Sequence, residues 1–121
     1  MSIICLAGGG VVVKLAAAIT LSWTHSVEKV QWEEDWRANA AGIAIVESRV
    51  KGSGAGMEPS AGAKLKNGAY SYRPHWAPVK EVVLRRSGAT ADWNICEAGK
   101  CKPMGDLIPP ESDPVTLSLC D

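Results

Sequence analysis

The chain has 121 residues, 46% of them hydrophobic and 21% charged, a composition that fits one globular domain over residues 1–121 and excludes a disordered chain. Its 13 basic and 13 acidic side chains balance to a formal net charge of zero. This balance excludes a dominant polyanion-binding surface and argues against nucleic acid as a partner.

The first 23 residues are apolar but do not match a targeting segment. A secretory leader has a basic region followed by an unbroken apolar core, yet no basic residue precedes Lys14, and Gly8–Gly10 interrupt the core. The apolar run is also shorter than the roughly 20 residues that span a bilayer. We therefore expect two short strands joined by a glycine turn, no membrane span and a cytoplasmic location, with a periplasmic location as the alternative.

The four cysteines lie at positions that allow two disulfides. Cys96 and Cys101 flank a four-residue segment typical of a hairpin loop, and residues that face each other across a hairpin come within bridging distance. Cys5 and Cys120 would then join the first and last strands. Disulfides belong to oxidising compartments, which conflicts with a cytoplasmic location. Four buried thiols are the alternative, and a four-cysteine zinc site is disfavoured because CxxC spacing is missing.

Alternation of apolar and polar residues predicts strands along the first half of the chain. One face of the first run comprises Ile19, Leu21, Trp23 and His25. In the next run the corresponding face moves to even positions, namely Glu28, Val30, Trp32, Glu34 and Trp36. This change of parity predicts a bulge or turn within residues 25–28. A third run follows, with one face formed by Ala44, Val46, Ser48 and Val50. A helix over residues 28–38 is the main alternative for the second run.

Turn residues divide the rest of the chain into further short strands. Asn67–Gly68 is a tight-turn signal before residues 69–72, and strands are also expected at 79–86, 93–96 and 115–119. The total of eight or nine short strands predicts an all-β fold, either a small antiparallel β-sandwich or a partly open β-barrel. Open sheet edges and zero net charge favour a homodimer.

Five tryptophans and no phenylalanine mean that indole rings must supply the large side chains of the core. We expect Trp23 and Trp32 to pack in the core with their N–H groups hydrogen-bonded. A platform for carbohydrates or bases would instead require exposed, coplanar rings.

The segment around His25 is the first candidate site. His25 lies on an apolar face, and Glu28 and Glu34 share a face with tryptophans. Because an inward carboxylate is unfavourable unless it is paired, we expect Glu28 to pair with His25, or either glutamate to pair with Arg49 or Arg85. The functional interpretation is a proton-exchanging or cation-binding dyad, and the alternative is a structural histidine.

The glycine-rich run after the third strand is the second candidate site. Glycine at every second position of residues 52–56 lets the backbone approach a ligand, and consecutive N–H groups can form an anion-binding nest. The run lacks the features of a P-loop or a dinucleotide fingerprint, and a tight loop packed under the tryptophans is the alternative. The combined ligand-binding set is His25, Ser26, Glu28, Glu34, Gly52, Ser53, Gly54, Gly56 and Glu58.

Classical nucleophilic catalysis fits the sequence poorly. No GxSxG elbow is present, and Ser26 would face away from His25 on a strand. With His25 and His75 as the two histidines, a histidine-rich metal site is excluded and only a mixed histidine–carboxylate site stays open. We expect no metal and no cofactor, and we assign no catalytic residue.

The two candidate segments also resemble a known family. The blocks WTHSVEK (23–29), WEE (32–34) and GSGAGMEP (52–59), followed by SGATADW (87–93) and the Cys96–Cys101 hairpin, resemble the bacterial domain-of-unknown-function family 1850. The resemblance covers nearly the whole chain and implies no established activity. Many members of that family are encoded beside permeases of tripartite periplasmic transporters, so the resemblance implies a small accessory protein of a solute-uptake system.

These observations favour a non-enzymatic accessory or binding protein, with transporter components as partners. One alternative is a small hydrolase or isomerase that uses His25 and Glu28 as an acid–base pair. The other is a purely structural domain.

Overall fold

The computed structural model describes residues 2–24, 31–51, 64–66, 69–73, 77–86 and 92–120, and these fold into eleven β-strands and one short 3₁₀ helix. The strands are β1 (Ile3–Gly8), β2 (Val11–Lys14), β3 (Ala18–Thr24), β4 (Gln31–Asn39), β5 (Gly42–Lys51), β6 (Lys64–Lys66), β7 (Ala69–Tyr72), β8 (Glu81–Leu84), β9 (Asn94–Glu97), β10 (Lys100–Pro103) and β11 (Val115–Cys120). The 3₁₀ helix, Met104–Asp106, follows β10. The helix considered for residues 28–38 is wrong from Gln31 onward, because β4 begins there.

The strands form two antiparallel sheets. A four-stranded sheet has the order β2-β1-β11-β8, and a seven-stranded sheet has the order β10-β9-β3-β4-β5-β7-β6. Within the described ranges the sheets remain separate and do not close on each other. The prediction of an all-β fold is therefore confirmed, in its β-sandwich form.

One hydrophobic core lies between the two sheets. The four-stranded sheet contributes Ile4, Leu6, Val115 and Leu117, all fully buried. The facing sheet contributes Ile19, Leu21, Trp36, Ile43, Ile45 and Ile95. Because successive side chains of a strand point to opposite faces, the central strands contribute alternate residues to this core. Burying one such aliphatic side chain stabilises the fold by about 1.5–3 kcal/mol relative to leaving it exposed.

The N-terminal hairpin forms as predicted. β1 and β2 pair antiparallel, and the turn between them contains Gly9 and Gly10 with φ values of 57° and 80°. Residues with a Cβ rarely adopt such positive φ values, so glycine suits both positions.

A β-bulge in β5 corrects the predicted faces of that strand. Asp35 of β4 pairs with Glu47 while Trp36 pairs with Ile45, so Val46 is an extra residue without a partner on β4. Before the bulge the odd-numbered residues are buried, and after it the even-numbered Ser48 and Val50 are buried. The single face predicted from Ala44 to Val50 is therefore wrong, since one extra residue moves every later side chain to the other face.

Candidate functional site

The structure describes one of the nine predicted ligand-binding residues, Glu34. The other eight lie outside the described residues, as do the glycine-rich run and the predicted break at residues 25–28. The described strand ends next to those segments are neighbours in the seven-stranded sheet. Thr24 at the end of β3 pairs with Gln31 at the start of β4, and Val50 near the end of β5 pairs with Trp32.

Glu34 lies on the face of β4 that is turned towards the core. Its register partners are Leu21 on β3 and Ser48 on β5, which are 0% and 2% exposed. Trp36 Nε1 donates a hydrogen bond to Glu34 Oε1 at 3.3 Å. Burial raises the pKa of Glu34, and the hydrogen bond from Trp36 offsets part of that rise. A half-buried carboxylate of this kind is stabilised by any cation that approaches it.

Three tryptophans cluster at this end of the sheet. The rings of Trp23 and Trp32 stack with centroids 5.9 Å apart and planes at 14°, and Trp93 lies against Trp23 at 4.8 Å. Trp32 is two residues before Glu34 on the same face of β4, so the cluster lies beside the carboxylate. Trp23 and Trp32 are half-buried rather than enclosed, whereas Trp36 is 6% exposed and belongs to the hydrophobic core. We expected Trp23 and Trp32 to pack in the core, but they stack on each other outside the cluster of buried core residues and are half-buried.

Arg49 pairs with carboxylates on the opposite face of the sheet from Glu34. Its Nη1 and Nη2 donate to the two carboxylate oxygens of Asp35 at 2.8 Å each, and its Nε donates to Glu33 at 3.1 Å. Thr20 Oγ1 also donates to Asp35, at 2.7 Å. The hydrogen bonds from Arg49 are the main reason that the pKa of Asp35 lies below its usual value. The predicted pairing of Glu34 with Arg49 is wrong, because strand alternation and the Val46 bulge place the two side chains on opposite faces.

A groove of about 310 Å³ runs along this outer face beside the Cys96–Cys101 hairpin. Its lining includes Thr20, Asp35, Arg37, Val46 and the Ala98–Gly99 turn. Sequence reasoning missed this groove, because only strand register brings residues so distant in the chain together. Asp35 already accepts hydrogen bonds from Arg49 and Thr20, so it has little capacity left to hold a cation, and we assign no ligand to the groove.

Both predicted disulfides are present. Cys5 joins Cys120 across β1 and β11, and Cys96 joins Cys101 across β9 and β10. The loop of this second hairpin is a two-residue turn, Ala98–Gly99, shorter than the four-residue loop that we predicted. Since all four cysteines are paired, the alternatives of four free thiols and a four-cysteine zinc site are wrong.

Arg86 fastens the segment between the 3₁₀ helix and β11. Its Nη2 donates to Asp92 and its Nη1 donates to the carbonyl oxygens of Pro109 and Ser112, the latter at 2.9 Å. The Arg86 side chain is 6% exposed, and its N–H donors are occupied by hydrogen bonds within the protein. Its role is therefore structural. Arg85, the other predicted partner of Glu34, pairs instead with Asp113 at 3.0 Å on the surface.

The described part of the chain contains neither a candidate metal cluster nor a candidate membrane helix. Within it, no cluster of three or more histidine, cysteine or carboxylate side chains is placed to hold a metal ion. The same residues include no helix with the length and hydrophobicity needed to cross a membrane. Both histidines lie outside the described ranges.

Comparison with known proteins identifies the family. No curated protein and no solved structure gives a significant match to the sequence. The model of one family, described as a domain of unknown function (DUF1850), matches residues 19–104. This match spans β3 to the first residue of the 3₁₀ helix, and with it Glu34, the tryptophan cluster and the Cys96–Cys101 hairpin. The chain therefore belongs to the DUF1850 family, as the sequence motifs indicated.

Proposed function

We propose that this protein is a non-enzymatic binding module that recognises a cationic group and acts as an accessory of a tripartite periplasmic-type solute transporter. The observation that carries the proposal is Glu34, a half-buried carboxylate beside the Trp23–Trp32 stack. A carboxylate next to indole rings is the combination that attracts ammonium and guanidinium groups, by charge and by cation–π contact.

The strand ends around Glu34 support a larger site. Because Thr24, Gln31 and Val50 lie on three adjacent strands near one end of the sheet, the connections that start there leave from neighbouring points. We include in this proposed site the residues singled out in the sequence, which are His25, Ser26, Glu28, Gly52, Ser53, Gly54, Gly56 and Glu58.

The two disulfides support an oxidising compartment for this function. Intracellular proteins of most organisms keep their thiols reduced, whereas two intramolecular bridges are typical of proteins outside the cytoplasm. We therefore place the module in the periplasm rather than the cytoplasm. The transporter link rests on the DUF1850 resemblance, since members of that family are encoded beside such permeases.

Tryptophan fluorescence provides a direct test of cation recognition. Arginine, lysine and tetramethylammonium are titrated into the oxidised protein, and binding should change the emission of the tryptophan cluster. Glu34→Gln should weaken the binding by about tenfold, because it removes the charge but keeps the shape. Glu33→Gln is the matched control: this adjacent carboxylate lies on the opposite face with Arg49, so its loss should leave binding unchanged.

The pH dependence gives a second measure from the same titration. The pKa of Glu34 is raised by burial, so cation binding should weaken as the pH falls through that raised pKa.

If none of the three cations binds, or if both variants lose binding equally, the assignment of Glu34 is wrong. Calorimetric titration with the solute receptor of such a transporter tests the accessory role separately, and no heat of binding there would remove the transporter link alone.

An acid–base enzyme is the second candidate, and the raised pKa of Glu34 favours it. A carboxyl group with a raised pKa can donate a proton nearer neutral pH, as a general acid must. Hydrolysis or isomerisation that follows the protonation of Glu34, and that is lost in Glu34→Gln but kept in Glu33→Gln, would favour this candidate over a binding module.

A further inference from the structure

The outward face of the four-stranded sheet carries two rows of residues that cross all four strands in register. The apolar row consists of Val12, Ala7, Thr116 and Val83, in the order β2, β1, β11, β8. The charged row lies two residues along each strand. It has the charged Lys14 and Glu81 at its two ends, with Cys5 and Ser118 between them. Val12 and Val83 are 67% and 54% exposed.

Alternation along the strands places both rows on the outside of the sandwich. The residues adjacent to these positions are Ile4 and Leu6 on β1 and Val115 and Leu117 on β11, all with 0% exposure in the core. The side chains of the two rows therefore point away from the seven-stranded sheet. Val12 and Val83 are therefore exposed apolar side chains at the two edges of one sheet face.

We propose that this outward face binds a second copy of the chain, related by a two-fold axis that runs parallel to the strands between β1 and β11. Such an axis places β2 of one copy over β8 of the other. Lys14 then faces Glu81 of the second copy, and Glu81 faces its Lys14, so the charged row forms two ion pairs. The apolar row meets itself in the same way, with Val12 against Val83 at both ends.

Self-complementarity argues for a second copy over a different partner. Lys14 and Glu81 have opposite charges at equal distances from the centre of their row, so a partner of uniform charge would be repelled at one end. An isologous contact satisfies both ends with one surface. The formal net charge of zero also means that two copies do not repel each other at long range.

The size of the face predicts a weak dimer. Four strands of four to six residues cover an area roughly 15–20 Å on a side, which is smaller than the about 800 Å² per partner of a standard interface. We therefore expect a dissociation constant in the micromolar range and a monomer–dimer equilibrium that depends on concentration.

Sedimentation velocity of the oxidised protein, from about 5 to about 500 μM, tests the proposal. The wild type should shift towards dimer as its concentration rises. K14E and E81K should each weaken the dimer by about tenfold or more, since each creates two like-charge contacts per dimer. The double variant K14E/E81K should restore association, because the pairs re-form with the charges exchanged.

Two further variants complete the experiment. K102E reverses an exposed lysine on β10, in the other sheet, and should leave association unchanged. Val12→Asp should abolish the dimer by placing an unpaired charge in the contact. A wild type that stays monomeric over the whole range overturns the proposal. So does a dimer that is indifferent to K14E, E81K and Val12→Asp, since its interface must then lie elsewhere. Failure of the double variant to restore association refutes the two-fold arrangement.

Discussion

Removing the Cys5–Cys120 disulfide should destabilise the protein more than removing the Cys96–Cys101 disulfide. The two bridges close loops of very different size, with sequence separations of 115 and 5 residues. A bridge stabilises mainly by restricting the unfolded chain, and in the loop-entropy model these separations correspond to about 5 and about 2 kcal/mol. The difference between the two losses, about 3 kcal/mol, depends only on the ratio of the loop lengths.

The comparison requires two double variants, Cys5→Ala/Cys120→Ala and Cys96→Ala/Cys101→Ala. Urea unfolding followed by tryptophan fluorescence gives the free energy of unfolding of each, and the clustered indoles should report the loss of tertiary packing. The long-loop variant should also show a larger m-value, since its unfolded chain is no longer held together at its ends. A loss of about 5 kcal/mol would remove much of the stability of a typical domain.

Equal losses from the two variants, or a larger loss from the short-loop variant, would refute this reasoning. The native state would then be the source of the effect, for example through the packing of Cys5, which is 3% exposed between β2 and β11. The single variant Cys120→Ala separates these effects, because it opens the long loop while Cys5 stays in place. Its loss should approach that of the double variant.

Two further predictions concern charged groups. Arg86→Ala should lower the free energy of unfolding by about 3–5 kcal/mol, because it leaves Asp92 and backbone carbonyls without their buried donor, whereas Arg85→Ala at a 74% exposed site should cost at most about 1 kcal/mol. Urea unfolding of both variants measures the contrast, and similar losses would contradict it. Asp35→Asn should cost about 1–2 kcal/mol at neutral pH. Because the pKa of Asp35 is lower in the folded than in the unfolded state, this stabilisation is complete above about pH 4 and disappears as the pH falls through the lowered pKa. The free energies of unfolding of wild type and Asp35→Asn, measured between pH 7 and pH 2, test this pH dependence. If the difference between the two free energies stays constant, Asp35 acts by its shape and not by its charge.

Local patterns in the sequence predicted the features that depend on a few neighbouring residues. The alternation of Ile19, Leu21 and Trp23 is sufficient to identify the inner face of β3. The spacing of Cys96 and Cys101 is sufficient to place them opposite each other in a hairpin, as their register pairing confirms. Such features follow from the period-two geometry of a strand and need no knowledge of the partners.

Features that depend on the register between paired strands could not be predicted in this way. The Val46 bulge arises because β5 holds one more residue than β4 between matched positions, and no residue type in the segment marks it. The same register brings Arg49 to Asp35 and away from Glu34. Predicting the ion pair therefore requires the strand register. Alternation alone does not determine that register, because each bulge shifts it by one residue.

The three consecutive acids Glu33, Glu34 and Asp35 bear most directly on function. Alternation sends Glu33 and Asp35 to the outer face, where Arg49 and Thr20 satisfy them. The same alternation sends Glu34 inward, where burial raises its pKa and a 3.3 Å hydrogen bond from Trp36 is its described donor. A leucine at this position would pack between Leu21 and Ser48 without that penalty. A carboxylate there destabilises the free protein, and a bound cation would offset this, which is why we centre the proposed function on Glu34 rather than on the better-paired acids beside it.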